Sequence, residues 1–193
     1  METLVGTPVP EFTVQAVVKG GEFTEVSSDS LKGKWTVLLF YPLDFTFVCP
    51  TEIIAYDGAQ AKLSALNAQV MGISVDSHFT HRVYVNTARG DGGIQGVTLP
   101  LLADPGGVVA RQFGVLNEAG VSLRGLFLVD PEGVIQHATI NNLPVGRNVD
   151  ETLRIIEAFQ FHAENGDVCP ANWTKDAKSM SPTDEGLREY FKG

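Results

Sequence analysis

Two cysteines, Cys49 and Cys169, are the residues of this chain with the most chemistry to offer. The thiolate is the reactive form, yet a free thiol of pKa ~8.5 is only ~3% ionised at pH 7. Lowering such a value to ~6 takes ~3.4 kcal/mol of differential stabilisation. The residue pattern sets Cys49 after a buried strand and at the mouth of a helix, with Pro50 next to it. A helix N-terminus contributes ~0.3–1 kcal/mol and at best ~2, so a fixed cation is needed as well. Arg124 is the candidate, because it interrupts the apolar segment Val121 to Val129, where an unpartnered charge is costly. Thr46, three residues before the cysteine, has a hydroxyl that could hold a substrate oxygen, and Pro42 would shape the loop and shield the sulfur. Plainer readings stand beside these. An isolated cysteine is often a small buried hydrophobe, and a lone arginine in a strand is often an edge or snorkelling residue. The residues suggest a reactive thiol without naming its substrate.

The elements that must position these groups follow from hydrophobic periodicity. Phe12 to Val18 reads as a strand closed by Gly20-Gly21, and Ser27 to Leu31 as a short helix start closed by Gly33. Trp35 to Tyr41 is a continuous apolar run, as expected of a strand covered on both faces. After the loop 42–48, residues 50–66 have helical spacing, with Pro50 suited to the first turn and Glu52 also in it. Gln69 to Val75 predicts a buried strand, His78 to Ala88 a helix, Arg89 to Val97 a glycine-rich loop and Val108 to Phe113 a short helix. Leu123 to Val129 and Val134 to Thr139 predict a hairpin across Asp130-Pro131-Glu132-Gly133. Asn148 to Glu164 is an amphipathic helix, and Asp184 to Phe191 a small terminal one. Strands alternating with helices and then a hairpin indicate a three-layer α/β domain with a mixed sheet. The expected division is a domain over 1–165 and a C-terminal tail over 166–193 that carries the second cysteine.

Composition narrows the classes. The chain has 193 residues with 14 Lys+Arg against 23 Asp+Glu, a net charge of −9. At ~150 residues per domain this is one sizeable domain with an extension. With 44% hydrophobic and 19% charged residues it can bury a core. The acidic balance argues against nucleic acid or an anionic membrane as partner, since both need a basic face. The longest apolar run, 35–41, is far short of the ~20 residues of a membrane span. The start shows neither the basic nor the apolar region of a signal peptide, so the expectation is a soluble cytoplasmic protein. Two cysteines 120 positions apart make neither a disulfide-stapled fold nor a Cys-x-x-Cys motif. Asn172-Trp173-Thr174 fits the glycosylation sequon, best read as chance without a signal peptide.

The run Phe40-Tyr41-Pro42-Leu43-Asp44-Phe45-Thr46-Phe47-Val48-Cys49-Pro50-Thr51-Glu52 closely resembles the active-site segment of typical 2-Cys peroxiredoxins, the group that includes the peroxidase component of bacterial alkyl hydroperoxide reductase and the thioredoxin peroxidases. Pro42, Thr46 and Cys49 fit the family's Pro-x-x-x-Thr-x-x-Cys, and 124–130 fits the strand that carries its active-site arginine. Residues 142–147 and 168–173 match two further family segments in order, so the likeness spans nearly the whole chain. The resemblance implies a thioredoxin-like fold and a thiol-dependent peroxidase for hydrogen peroxide and organic hydroperoxides. By it, Cys49 attacks the O–O bond as a thiolate and becomes a sulfenic acid. Arg124 stabilises the thiolate and the charge developing on oxygen, Thr46 orients the peroxide, and Glu52 and Arg147 support Arg124. Cys169 resolves the sulfenic acid as an intersubunit disulfide, and thioredoxin or a flavoprotein reductase restores both thiols by exchange. No metal or organic cofactor is implied. The assembly implied is a homodimer, and a ring of dimers up to a decamer. A second reading is a ring-forming holdase chaperone with secondary peroxidase activity.

Other constellations weigh less. His78 and His81 share a helical face at i, i+3 as candidate metal ligands, against the reading of a solvated face. A cysteine hydrolase would pair Cys49 with His78, His81, His137 or His162, but no such signature surrounds the cysteine. The glycine run 90–96 lacks the Gly-Lys-Ser/Thr ending of a phosphate loop and reads as a flexible loop. By resemblance, Phe45 and Phe47 line the active-site mouth and Phe79 falls where dimers meet in rings. Overoxidation-prone relatives carry Gly-Gly-Leu-Gly and a terminal Tyr-Phe. Here Tyr190-Phe191 is present, but Gly92-Gly93-Ile94-Gln95-Gly96 has an extra residue, which implies intermediate sensitivity.

Overall fold

The computed structural model describes residues 3–192. Two compact units divide the chain, one up to Arg147 and one from Asn148 onward. The helix at 149–165, which the sequence reading groups with the larger domain, falls by compactness with the C-terminal segment.

The first unit is built on a seven-stranded mixed sheet in the order β2-β1-β5-β4-β3-β6-β7. Its strands are β1 Thr13–Val18, β2 Glu22–Ser27, β3 Trp35–Phe40, β4 Ala68–Ser74, β5 Leu101–Ala103, β6 Arg124–Val129 and β7 Ile135–Asn141. β3 is buried along its whole length, which is why it reads as an unbroken apolar run rather than an alternation. β4 lies parallel to it, Trp35 facing Ala68 and Phe40 facing Ile73. β6 runs antiparallel on its other side, Thr36 facing Val129 and Leu39 facing Leu126. Leu38, Phe40, Met71, Ile73, Phe127 and Val129 point to one face, where they form a core with Val109, Ala110 and Phe113 in and just after α4 Val108–Gln112. A mixed sheet of this kind carries its functional loops at the strand ends.

Two strands escape the sequence reading. β2 is an edge strand with a largely exposed surface, so it lacks the apolar alternation that marks a half-buried strand. β5 has three residues, too few to register a period. The helix expected over 50–66 is two helices, α1 Cys49–Gly58 and α2 Gln60–Ala65, separated at Ala59, whose φ of −91° and ψ of 1° leave the helical range. Next to this break, Asp57 turns its carboxylate to the backbone N–H groups of Thr98 and Leu99, at 2.8 and 3.0 Å. α3 His78–Asn86 is capped by Ser77, which accepts from the Thr80 N–H. The glycine run after it is hydrogen-bonded back to this helix and the residues that follow it: Gly93 N donates to Ala88 O, Ile94 N to Tyr84 O and Gln95 N to Thr87 O, at 3.0–3.1 Å.

In the second unit α5 Val149–Asn165 starts under the Asn148 side chain, which accepts from the Glu151 N–H, and stops at Gly166, whose φ of 75° suits glycine. The chain continues through an isolated antiparallel bridge between Val168 and Met180 to α6 Asp184–Phe191, capped by Thr183. Trp173 packs on Phe161 with ring centroids 5.0 Å apart, and its carbonyl accepts from Arg154 at 2.8 Å. No helix among the described residues is long and apolar enough to cross a membrane.

Candidate active site

Cys49 is the first residue of α1, wholly buried, with Pro50 following in the first turn where a missing N–H costs nothing. The loop that ends on it leaves β3 through buried Tyr41 and Pro42. Thr46 sits in this loop and donates its hydroxyl hydrogen to Leu43 O at 2.9 Å, which leaves its oxygen lone pairs as acceptors. Phe47 projects almost wholly into solvent, 92% exposed, while the ring of Phe45 lies on Tyr84 of α3 at 4.8 Å.

The cation beside Cys49 comes from β6. Arg124 is only 4% exposed, and its Nη1 donates both to Cys49 Sγ at 3.5 Å and to Glu52 Oε2 at 2.7 Å. Its Nε donates to Leu143 O at 2.6 Å. The guanidinium is therefore held by three partners and cannot turn away from the sulfur.

Glu52, one helical turn after Cys49, is the hub. Arg147 reaches it by Nε and by its backbone N–H, at 2.7 and 2.8 Å on Oε1, and by Nη2 at 3.0 Å on Oε2. The remaining Arg147 nitrogen, Nη1, donates to Phe40 O and Gly125 O, at 2.8 and 2.6 Å, and so ties the ends of β3 and β6 to the site. Gly146 permits this approach: a Cβ there would meet Val48 Cγ1 at 3.3 Å and Glu52 Cγ at 3.4 Å. Burial works to raise the Glu52 carboxyl, but hydrogen bonds and charge from Arg147, with the charge of Arg124, outweigh it and hold the group below its ordinary value. Two guanidiniums against one carboxylate leave a positive charge over, and the Cys49 sulfur lies against it.

The structure thus brings Cys49, Arg124, Glu52 and Arg147 into one hydrogen-bonded cluster, with Thr46 and Pro42 on the adjoining loop. It also shows what sequence reasoning misses. The carbonyl oxygens of Leu143, Phe40 and Gly125 are backbone acceptors with no residue-type signature. Asp44 and His81 carry no signal that they meet, yet both are buried and lie 2.7 Å apart. That corrects the reading of His78 and His81 as a solvated helical face: of the two, only His78, stacked edge-on with Phe23, borders solvent. No group of three or more metal-ligating side chains occurs among the described residues.

Cys169 lies in the second unit, in the stretch after α5, and both cysteines are free thiols. Its Sγ donates to Ala158 O at 3.4 Å, and it lines a shallow apolar cavity of about 390 Å³ with Arg154, Ala158, Phe159 and His162. Burial pushes this thiol up, Arg154 opposes that shift and Asp167 adds to it.

Comparison with known proteins places these features. Residues 5–138 match the AhpC/TSA family and residues 158–193 match the C-terminal domain of 1-Cys peroxiredoxin. Over 192 residues the chain is 54% identical to peroxiredoxin tpx1 of Schizosaccharomyces pombe, covering 99% of this chain and 98% of that protein. It is 51% identical over 184 residues to the mitochondrial thioredoxin-dependent peroxide reductase of Bos taurus, covering 95% of this chain and 71% of that protein. The crystal structure of reduced Plasmodium vivax 2-Cys peroxiredoxin superimposes with a TM-score of 0.97 at 44% identity, covering both chains fully.

Proposed function

Since the chain belongs to the AhpC/TSA family of peroxiredoxins and is a thiol peroxidase, we propose that Cys49 is its peroxidatic cysteine and Cys169 its resolving cysteine. The observation that carries this is the hydrogen-bond donor on the Cys49 sulfur, Arg124, itself anchored by Glu52 and Leu143 inside a buried site. A cation fixed by its neighbours before reaction undergoes no reorganisation when charge shifts from sulfur to oxygen.

In the first step the Cys49 thiolate attacks one peroxide oxygen and the O–O bond breaks. The distal oxygen leaves with the bonding pair, takes a proton and departs as water or an alcohol, and the sulfur becomes a sulfenic acid. Arg124 faces the sulfur and the oxygen being transferred. Thr46, its own hydrogen committed to Leu43, accepts a hydrogen bond from the peroxide O–H and thereby sets the direction of attack. Arg147 acts through Glu52, keeping that carboxylate ionised so that Arg124 stays in place.

In the second step the Cys169 thiol of a partner subunit displaces water from the sulfenic acid to give an intersubunit disulfide. The segment 166–193 acts as the tail that delivers this cysteine. Cys49 is wholly buried, so its helix start must open locally for the sulfurs to meet. A dithiol protein then reduces the disulfide by exchange. Relatives named thioredoxin-dependent peroxide reductases support thioredoxin as that donor, with a flavoprotein reductase as the alternative. The exposed apolar group of Phe23, Phe79 and Val83, with Arg82 over the Phe23 ring at 4.6 Å, suits the contact that joins dimers into a ring. No organic cofactor or metal enters, and we place the activity in the cytoplasm.

Stopped-flow oxidation with each hydroperoxide, followed by turnover with each candidate donor, tests the scheme. It predicts that Cys49→Ser consumes no peroxide, whereas Cys169→Ser consumes one equivalent and stops.

A further inference from the structure

The loop that carries Thr46 is held by a buried cluster outside the Arg124 network. Asp44 uses its whole carboxylate: Oδ1 accepts from the Tyr41 hydroxyl at 2.8 Å and Oδ2 lies 2.7 Å from His81 Nδ1. The Asp44 N–H donates to Asp76 Oδ2 at 2.9 Å, which also accepts from Ser74 Oγ at 2.6 Å. His81 is fully buried, with its other nitrogen, Nε2, 3.2 Å from Leu102 O. The next loop residue, Phe45, has a φ of 54°, a left-handed conformation that is unfavourable for a residue with a side chain. Its ring rests on Tyr84, one turn beyond His81 on the same helix. α3 therefore grips two consecutive residues of the loop, and the loop would not keep this shape unaided.

The hydrogen bonds fix a proton count. Both ring nitrogens of His81 face acceptors, Asp44 and the Leu102 carbonyl. Two acceptors require two protons along these lines: either both are on His81, or one is on Asp44 and donates back to Nδ1. In either form the pair holds one proton more than a neutral histidine beside a carboxylate, and the pair as a whole is uncharged. Burial raises the Asp44 carboxyl, partly countered by His81 and Tyr41, which agrees with a proton retained there. Losing it would leave a buried negative charge and an acceptor facing an acceptor.

We propose that His81 is a positioning residue for peroxide reduction: a proton shared with Asp44 fixes the loop 42–46, and with it Thr46, against the Cys49 sulfur. The proposal rests on Cys49 being the thiol that meets peroxide. The groups facing the pair are Tyr41 just after β3, Ser74 from β4, Asp76 beyond β4, Tyr84 from α3 itself and the Leu102 carbonyl from β5. Burial drives Tyr41 well above the ordinary phenol range and raises Tyr84 too, so neither yields its proton first. As pH rises, the shared proton is the one lost, and the loop is released.

The test starts from Cys169→Ser, in which oxidation of Cys49 by hydrogen peroxide is followed alone by trapping the sulfenic acid. In that background His81→Leu should slow oxidation on the order of tenfold to a hundredfold, the scale of a displaced positioning group. Asp44→Asn should retain most of the rate. Its amide carries the proton permanently, donating to His81 Nδ1 while its oxygen accepts from Tyr41. Its rate–pH profile should then lack the alkaline fall that the parent shows. A natively folded His81→Leu that reacts as fast as the parent overturns the role of His81. Should His81→Leu fail to fold, the Asp44→Asn profile decides: an alkaline fall parallel to the parent's, or a loss of rate at neutral pH, overturns the shared proton. A parent that shows no oxidation at Cys49 would remove the peroxide reading and this one with it, a result distinct from the others.

Discussion

The two cysteines of this chain sit in opposite environments. Cys49 has no exposed surface, a guanidinium at 3.5 Å and a helix N-terminus beneath it. Cys169 is partly exposed, donates to a carbonyl, and burial holds its thiol up. In the scheme proposed above, the first is the sulfur that attacks peroxide. The second, in that scheme, remains a thiol until a sulfenic acid is brought to it. The difference teaches how a protein could divide the two thiol reactions proposed here: the sulfur beside a fixed donor would attack oxygen, and the sulfur beside an acceptor would wait for sulfur.

The largest effects should come from exchanging these roles. Cys49→Ser should abolish peroxide consumption, whereas Cys169→Ser should leave the first oxidation intact and remove only the covalent dimer on non-reducing electrophoresis. Equal loss in the two variants would break the comparison.

Next is Arg124. Replacing it with methionine removes the donor on the sulfur and disturbs the pairing of Glu52 with Arg147. Oxidation of Cys49 should slow by roughly 10²–10³-fold, the usual effect of deleting one preorganised donor. Cys169 should still react with an added thiol reagent at its parental rate, which shows that the loss is local.

Glu52→Gln should cost stability more than chemistry. It leaves two buried guanidiniums with no carboxylate, which costs on the order of 3–5 kcal/mol, read as a lower midpoint in thermal unfolding. The pH dependence has a definite sign. A carboxyl held below its ordinary value stabilises the fold fully above that value, and this contribution is lost as pH falls through the lower folded value. The parent should therefore show an acid limb in stability that Glu52→Gln lacks.

The smallest effects belong to the tail. Lys178 Nζ donates to the carbonyls of Glu189 and Tyr190, at 3.2 and 3.0 Å, and so ties down the end of α6. Deleting 189–193 should lower the yield of sulfinic acid at Cys49 under excess peroxide, with Lys178→Met showing the same change more weakly. An unchanged yield by mass spectrometry would remove the tail from the competition between overoxidation and disulfide formation.

Much of this is legible in the residues. β3 announces itself as an apolar run because both its faces are covered, and Arg124 stands out because a charge in such a strand needs a partner. The roles of Glu52 and Arg147 are not readable from spacing, 95 positions apart; they come from the resemblance to peroxiredoxins. The anchors that hold the arginines escape because they are backbone carbonyls, and residue type says nothing of where a carbonyl points. His81 misleads because a helical period shows which residues share a face but not whether that face is wet. The edge strand β2 and the three-residue β5 are missed because neither buries an alternating side.

The most direct test of the division between the sulfurs is intact mass spectrometry after one equivalent of hydrogen peroxide, on the wild type and on Cys169→Ser. The account predicts a covalent dimer linked Cys49 to Cys169 in the wild type, and in the variant a monomer with one added oxygen, on Cys49. An oxygen found first on Cys169, or a dimer that persists in Cys169→Ser, would contradict it.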